Sequence, residues 1–179
     1  LLVCWEGDDA APSANSDLEI YCQRLDGATG AEIGANDFRV SDMGPDLSST
    51  FAAQEPAVDW ASGPNEYLVA WWGDDDAAPL VSGEDEVFAQ RLAGASGIEV
   101  GENDFRVSDM GPNGNGAYDA AHPTVAYTPV HDEYLLCWAA DDDLAGVVDE
   151  EDEIFCQRLA AATGAEVGAN DFRVSAMGP

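Results

Sequence analysis

Short apolar stretches recur along the chain, each broken by turn residues within about ten positions, and none shows a helical period with caps. Pro123–Tyr127 alternates and carries β-branched residues, which predicts a strand. Asp132 and Glu133 make a turn, and apolar, aromatic Tyr134–Trp138 is a second strand. A long acidic loop, Ala140–Glu153, leads to a third strand at Ile154–Leu159. Thr163 and Gly164 turn the chain into a fourth, Glu166–Ser175, with Gly168 placed for a bulge. The predicted unit is a four-stranded antiparallel meander, and the fold class is all-β.

That unit is repeated. Gln23-Arg24-Leu25 recurs as Gln90-Arg91-Leu92 and Gln157-Arg158-Leu159, 67 residues apart both times. Ile20–Pro45 and Ile154–Pro179 agree at 21 of 26 positions. The repeat divides the chain into a partial copy, 1–45, and two full copies, 46–112 and 113–179. Tandem meanders predict propeller-like blades, with an open stack of sheets as the alternative. The chain opens at Leu1 inside an apolar run and closes before another first strand. It is therefore expected to be a processed chain or a segment of a longer array, and not to function as an isolated monomer.

The segments Glu66–Trp71, Glu86–Leu92, Gly101–Ser108 and Pro123–Tyr127 resemble the YLVVW, IYGQRL, FRIS and PAVAY stretches of bacterial secreted and surface tandem-repeat proteins. The resemblance covers nearly the whole chain. It implies propeller-like β structure and no single activity.

Charge narrows the partners. Six arginines face 36 acids, lysine is absent, and the formal net charge is −30. Nucleic acid is excluded as an expected partner, because phosphate binding needs a basic surface. Membrane insertion is not expected either, since a spanning helix needs roughly 20 apolar residues and the longest runs hold about seven.

Cys4 and Cys22 occupy two places that Cys137 and Cys156 occupy in the third copy. In the second copy both places are alanine, Ala70 and Ala89. Joint loss is what bonded pairs predict, so the expected disulfides are Cys4–Cys22 and Cys137–Cys156. They imply an extracellular or cell-surface location.

The acids cluster in the loops between second and third strands, which hold 19 of the 36. In the first copy these are Asp8, Asp9, Asp17 and Glu19. In the second they are Asp74, Asp75, Asp76, Glu84 and Glu86, and in the third Asp141, Asp142, Asp143, Glu151 and Glu153. Crowded carboxylates in flexible loops suit Ca²⁺, which takes six to eight oxygens. Asp109, Asn113, Asn115 and Asp119 form a second candidate calcium loop. Diffuse cation condensation on an acidic surface is the competing reading. The recurring arginines are expected to pair with neighbours such as Asp37, Asp104 or Asp171.

No catalytic motif is present. The two histidines, His122 and His131, each occur in one copy, and His122 takes the place of Glu55. Acids that recur in every copy suit a structural device better than an active site. The expectation is a non-enzymatic, extracellular structural or adhesive protein, cation-stabilised, that associates with itself or with further repeats. A carbohydrate-binding propeller with glycan partners is the alternative, and a glycosidase stands behind it.

Overall fold

The computed structural model describes residues 1–8, 17–143 and 151–177. They hold eleven strands and no helix. The first copy contributes β1 (Leu2–Gly7), β2 (Glu19–Leu25) and β3 (Glu32–Arg39). The second contributes β4 (Ala53–Ala61), β5 (Glu66–Gly73), β6 (Glu86–Ala93) and β7 (Glu99–Arg106). The third contributes β8 (Ala120–Thr128), β9 (Glu133–Ala140), β10 (Glu153–Ala160) and β11 (Glu166–Arg173). Each copy folds as one antiparallel meander, three-stranded in the first and four-stranded in the others. The all-β expectation holds.

The sheets pack in open series. Strand β4 lies against β1 and β2, and β8 lies against β4, β5 and β6. The middle sheet is thus covered on both faces, which explains its unbroken apolar run. In β5, Leu68 and Ala70 point into the core shared with the third sheet. Val69 and Trp71 point into the core shared with the first. Successive side chains of a strand face opposite ways, so a sandwiched strand must be apolar throughout.

Two bulges recur at fixed places. Opposite Trp71 and Trp138 the first strand carries an extra residue, between Gln54 and Ala57 and between Ala121 and Thr124. Pro56 and Pro123 sit there, where a missing N–H costs no ladder bond. The predicted bulge at Gly168 is present. Pairing jumps from Arg158–Val167 to Cys156–Phe172, and Gly168 takes φ +92°. Strand β11 stops two residues before Ser175, whose hydroxyl leaves the ladder to accept from the Ile154 N–H at 2.7 Å. At the other end, β8 begins three residues before Pro123, because pairing with β9 resumes beyond the bulge.

Both expected disulfides form. Cys4 lies opposite Cys22 and Cys137 opposite Cys156, with Cα atoms 4.1 and 4.0 Å apart. Ala70 and Ala89 hold the same opposed places in the second sheet. The described residues contain no helix long and apolar enough to cross a membrane.

Candidate functional site: the acidic junctions between repeats

The loop acids serve mainly to hold backbone. Glu86 opens β6 with its side chain fully buried, where it accepts from the Ser108 hydroxyl and from the Met110 N–H at 3.1 Å. Arg106 approaches the same carboxylate at 3.5 Å. Glu19 repeats this set with Ser41, Met43 and Arg39, and Glu153 with Ser175 and Met177. This acid thus pins the chain leaving the last strand of its own sheet. Burial pushes Glu86 up to about 7, and burial raises Glu19 as well.

The other predicted ligands scatter. Asp17 accepts from the Leu47 N–H at 2.6 Å, Asp74 from the Gly83 N–H at 2.6 Å, and Glu84 from the Gly114 N–H at 3.0 Å. Asp75 and Asp142 reach back one repeat, to the N–H groups of Gly44 and Gly111. Asp141 is buried and accepts from the Asp142 N–H. Asp8, Asp76 and Asp143 are exposed, Glu151 is half-buried, and Asp9 lies outside the described residues. Asp109 and Asn113 both hold Arg106, at 2.8 and 2.7 Å. Asp119 accepts from the Asp85 N–H, and Asn115 is exposed. Among the described residues, no three His, Cys, Asp or Glu side chains gather where they could hold a metal ion.

Arginines pair with neighbouring carboxylates as expected, but with partners other than Asp37, Asp104 and Asp171. Arg39 pairs with Glu19, Asp42 and Asp46, Arg91 with Glu66, and Arg158 with Glu133. Asp104 and Asp171 turn instead to backbone. Each accepts from the preceding repeat, Asp104 from the Asp42 N–H at 2.8 Å and Asp171 from the Asp109 N–H at 2.9 Å. Each sits at φ near +40°, held by Gln90 or Gln157, whose side-chain oxygen accepts from its N–H at 3.0 Å. Burial, with neighbouring acids, pushes both carboxyls up to about 7. Four buried carboxylate oxygens, Oδ1 of Asp17, Asp74, Asp104 and Asp171, have no hydrogen-bond partner. Burial holds Asp74, like Asp104 and Asp171, above the usual carboxylate range.

A separate cluster breaks the repeat symmetry. Glu55 and His122 occupy equivalent places on the β4 and β8 bulges, both with positive φ. His122 Nδ1 lies 2.5 Å from the Glu55 carboxylate, and Trp72 Nε1–H donates to the same carboxylate at 3.2 Å. The Trp72 and His122 rings meet edge to face at 6.5 Å. Glu6, the counterpart of Trp72 in the first copy, accepts from the Glu55 N–H. The replacement of Glu55 by His122 was legible in sequence, but the approach of Trp72 was not, because it depends on how two sheets stack.

No family model and no curated relative matches the sequence. Among solved structures, a variant exo-beta-1,3-galactanase from Phanerochaete chrysosporium, crystallised with beta-1,3-galactotriose, aligns with 95% of this chain at 12% identity and a TM-score of 0.28. The chain spans 47% of that enzyme's length. A likeness this slight carries no argument about function.

Proposed function

We propose that the chain is a non-enzymatic module of an extracellular structural or adhesive repeat protein, akin to bacterial secreted tandem-repeat proteins, disulfide-stapled and stabilised by calcium. The observation that carries the reading is that both junctions are built from the same parts. Asp104 and Asp171 bind the preceding backbone, and Arg24 and Arg91 donate to the Ala95 and Ala162 carbonyls of the following copy. Chemistry that recurs at every junction serves assembly. The disulfides support an oxidising, extracellular setting. Calcium's role is to neutralise the crowded acids of the loops between second and third strands.

The test is thermal melting with EGTA, then with Ca²⁺ restored at matched ionic strength. The midpoint is expected to fall and recover. Binding to the native state alone adds about 2.7 kcal/mol at a hundredfold excess over Kd. A midpoint that follows ionic strength alone would leave only diffuse screening.

The cluster of Glu55, Trp72 and His122 favours a second reading, carbohydrate binding. An indole face beside a carboxylate and an imidazole offers stacking and hydrogen bonds to a sugar ring.

A further inference from the structure

Two Asn-Gly pairs lie in the loop between the second and third sheets, Asn113-Gly114 and Asn115-Gly116. Every other asparagine of the chain precedes Ser, Asp or Glu. An asparagine before glycine is prone to attack by its own backbone, because glycine has no Cβ to shield its nitrogen and little to restrict its φ and ψ. In sequence the two pairs are equivalent. The structure treats them differently.

Asn113 is held at both reacting groups. Its Oδ1 accepts from Arg106 at 2.7 Å, and the Gly114 N–H donates to the two oxygens of Glu84, at 3.1 and 3.0 Å. The first copy builds the same corner. There Asp46 accepts from Arg39 at 2.8 Å, and the Leu47 N–H donates to Asp17 at 2.6 Å. Leu47 and Gly114 share the left-handed backbone region, at φ +69° and +84°. The corner is thus a repeated structural part that fixes the Gly114 nitrogen. To attack, that nitrogen must first lose its proton. A carboxylate is too weak a base to take a peptide proton, and its charge opposes the anion that must form there.

Asn115 is exposed. Among the described residues, nothing hydrogen-bonds to its side chain or accepts from the Gly116 N–H. Glycine is nevertheless required at 116, since a Cβ there would lie 2.1 Å from the Gly83 carbonyl oxygen. Packing therefore places an unshielded glycine nitrogen directly after an unrestrained asparagine.

We infer that Asn115 is a site of spontaneous deamidation in the folded protein, and that Asn113 in the same loop is protected. Hydroxide removes the Gly116 amide proton, and the nitrogen attacks Asn115 Cγ. A C–N bond forms, and the side-chain nitrogen leaves as ammonia with a proton from water. Water then opens the cyclic imide. Breaking its Cγ–N bond leaves aspartate. Breaking the bond from nitrogen to the Asn115 backbone carbonyl leaves isoaspartate, whose main chain runs through Cβ and Cγ. Either product adds negative charge to a chain already at −30. Isoaspartate also lengthens the main chain by one carbon just before Gly116 meets Gly83, so it disturbs the packing of that loop.

The experiment incubates the intact chain at mildly alkaline pH, folded and, in parallel, reduced and unfolded in urea. Fragment-ion mass spectrometry of the peptide spanning Asn113 and Asn115 locates the exchange of NH2 for OH. An isoaspartyl methyltransferase with labelled S-adenosylmethionine reads the isoaspartate. In the folded chain Asn115 should convert at least roughly tenfold faster than Asn113, a barrier difference of about 1.4 kcal/mol, and unfolding should bring the two rates together. Asn115→Ser, which installs the residue found at Ser48 in the first copy, should abolish the folded-state isoaspartate signal. The site is exposed, so circular dichroism should show this variant folded. Equal rates in the folded chain overturn the proposal, as does a folded chain that stays intact at Asn115 while the unfolded chain reacts. The same bias in the unfolded chain overturns it too, because the difference would then lie in local sequence rather than in the Glu84 corner.

Discussion

The Asp104 carboxylate accepts the Asp42 N–H of the preceding repeat at 2.8 Å, although burial holds that carboxyl near pH 7. Asp171 repeats the relationship with Asp109. The junction is therefore both a latch between repeats and a titrating group.

Stability is expected to rise as pH falls from about 8 to about 5. The folded carboxyls of Asp104 and Asp171 are raised from 3.8 to about 7, so between those values the native state holds protons the unfolded chain has lost. Their contribution is complete below the unfolded value and disappears as pH climbs through the folded one. Glu86 and Asp85, pushed up to about 7 and about 6 by burial, act in the same direction. Calorimetry against pH checks this. Asp104→Asn with Asp171→Asn should stabilise the protein above neutrality by on the order of 1 kcal/mol and flatten the profile. A midpoint that drops steadily from about pH 8 to about pH 5 would contradict it.

Glu86→Ala should cost about 3 kcal/mol, because it strands the Met110 N–H and the Ser108 hydroxyl in the core. Glu86→Gln keeps an acceptor and should cost less than half as much. Urea unfolding of the two variants separates them. Equal losses would mean that the charge toward Arg106, rather than the hydrogen bonds, holds the loop.

Replacing Cys137 and Cys156 by alanine should leave the fold intact and remove about 3 kcal/mol in the chain-entropy model. The second sheet already carries Ala70 and Ala89 at these places, fully buried. The converse variant, Ala70→Cys with Ala89→Cys, should form a third disulfide and add a similar amount. Mass mapping without reductant and urea titration report both. Free thiols in the converse variant would show that the second sheet's spacing differs.

If sugars bind, Trp72→Ala should abolish the binding, whereas His122→Glu, which restores the residue of the second repeat, should weaken it several-fold. Calorimetric titration with neutral oligosaccharides reads this. Binding unchanged by Trp72→Ala would place the sugar elsewhere.

Strand alternation, the 67-residue period and the paired cysteine replacements already pointed to meander sheets and both disulfides. They could do so because each rests on local geometry. A strand shows its period within a few residues, and a hairpin brings nearby cysteines opposite one another. The roles of the acids were not legible in the same way. Asp74, Glu84 and Glu86 look alike in sequence, yet one accepts from Gly83 nearby, one from Gly114 thirty residues on, and one from Ser108 and Met110.

Composition and periodicity determined what each repeat is: an acidic, antiparallel, disulfide-compatible sheet with apolar residues on both faces. Tertiary structure alone decided which carboxylates hold backbone, which arginine meets which partner, and that Glu55, Trp72 and His122 converge. Those outcomes depend on the offset between stacked sheets. Stacking brings together residues roughly a repeat apart along the chain, such as Asp42 and Asp104, and no local pattern encodes that distance.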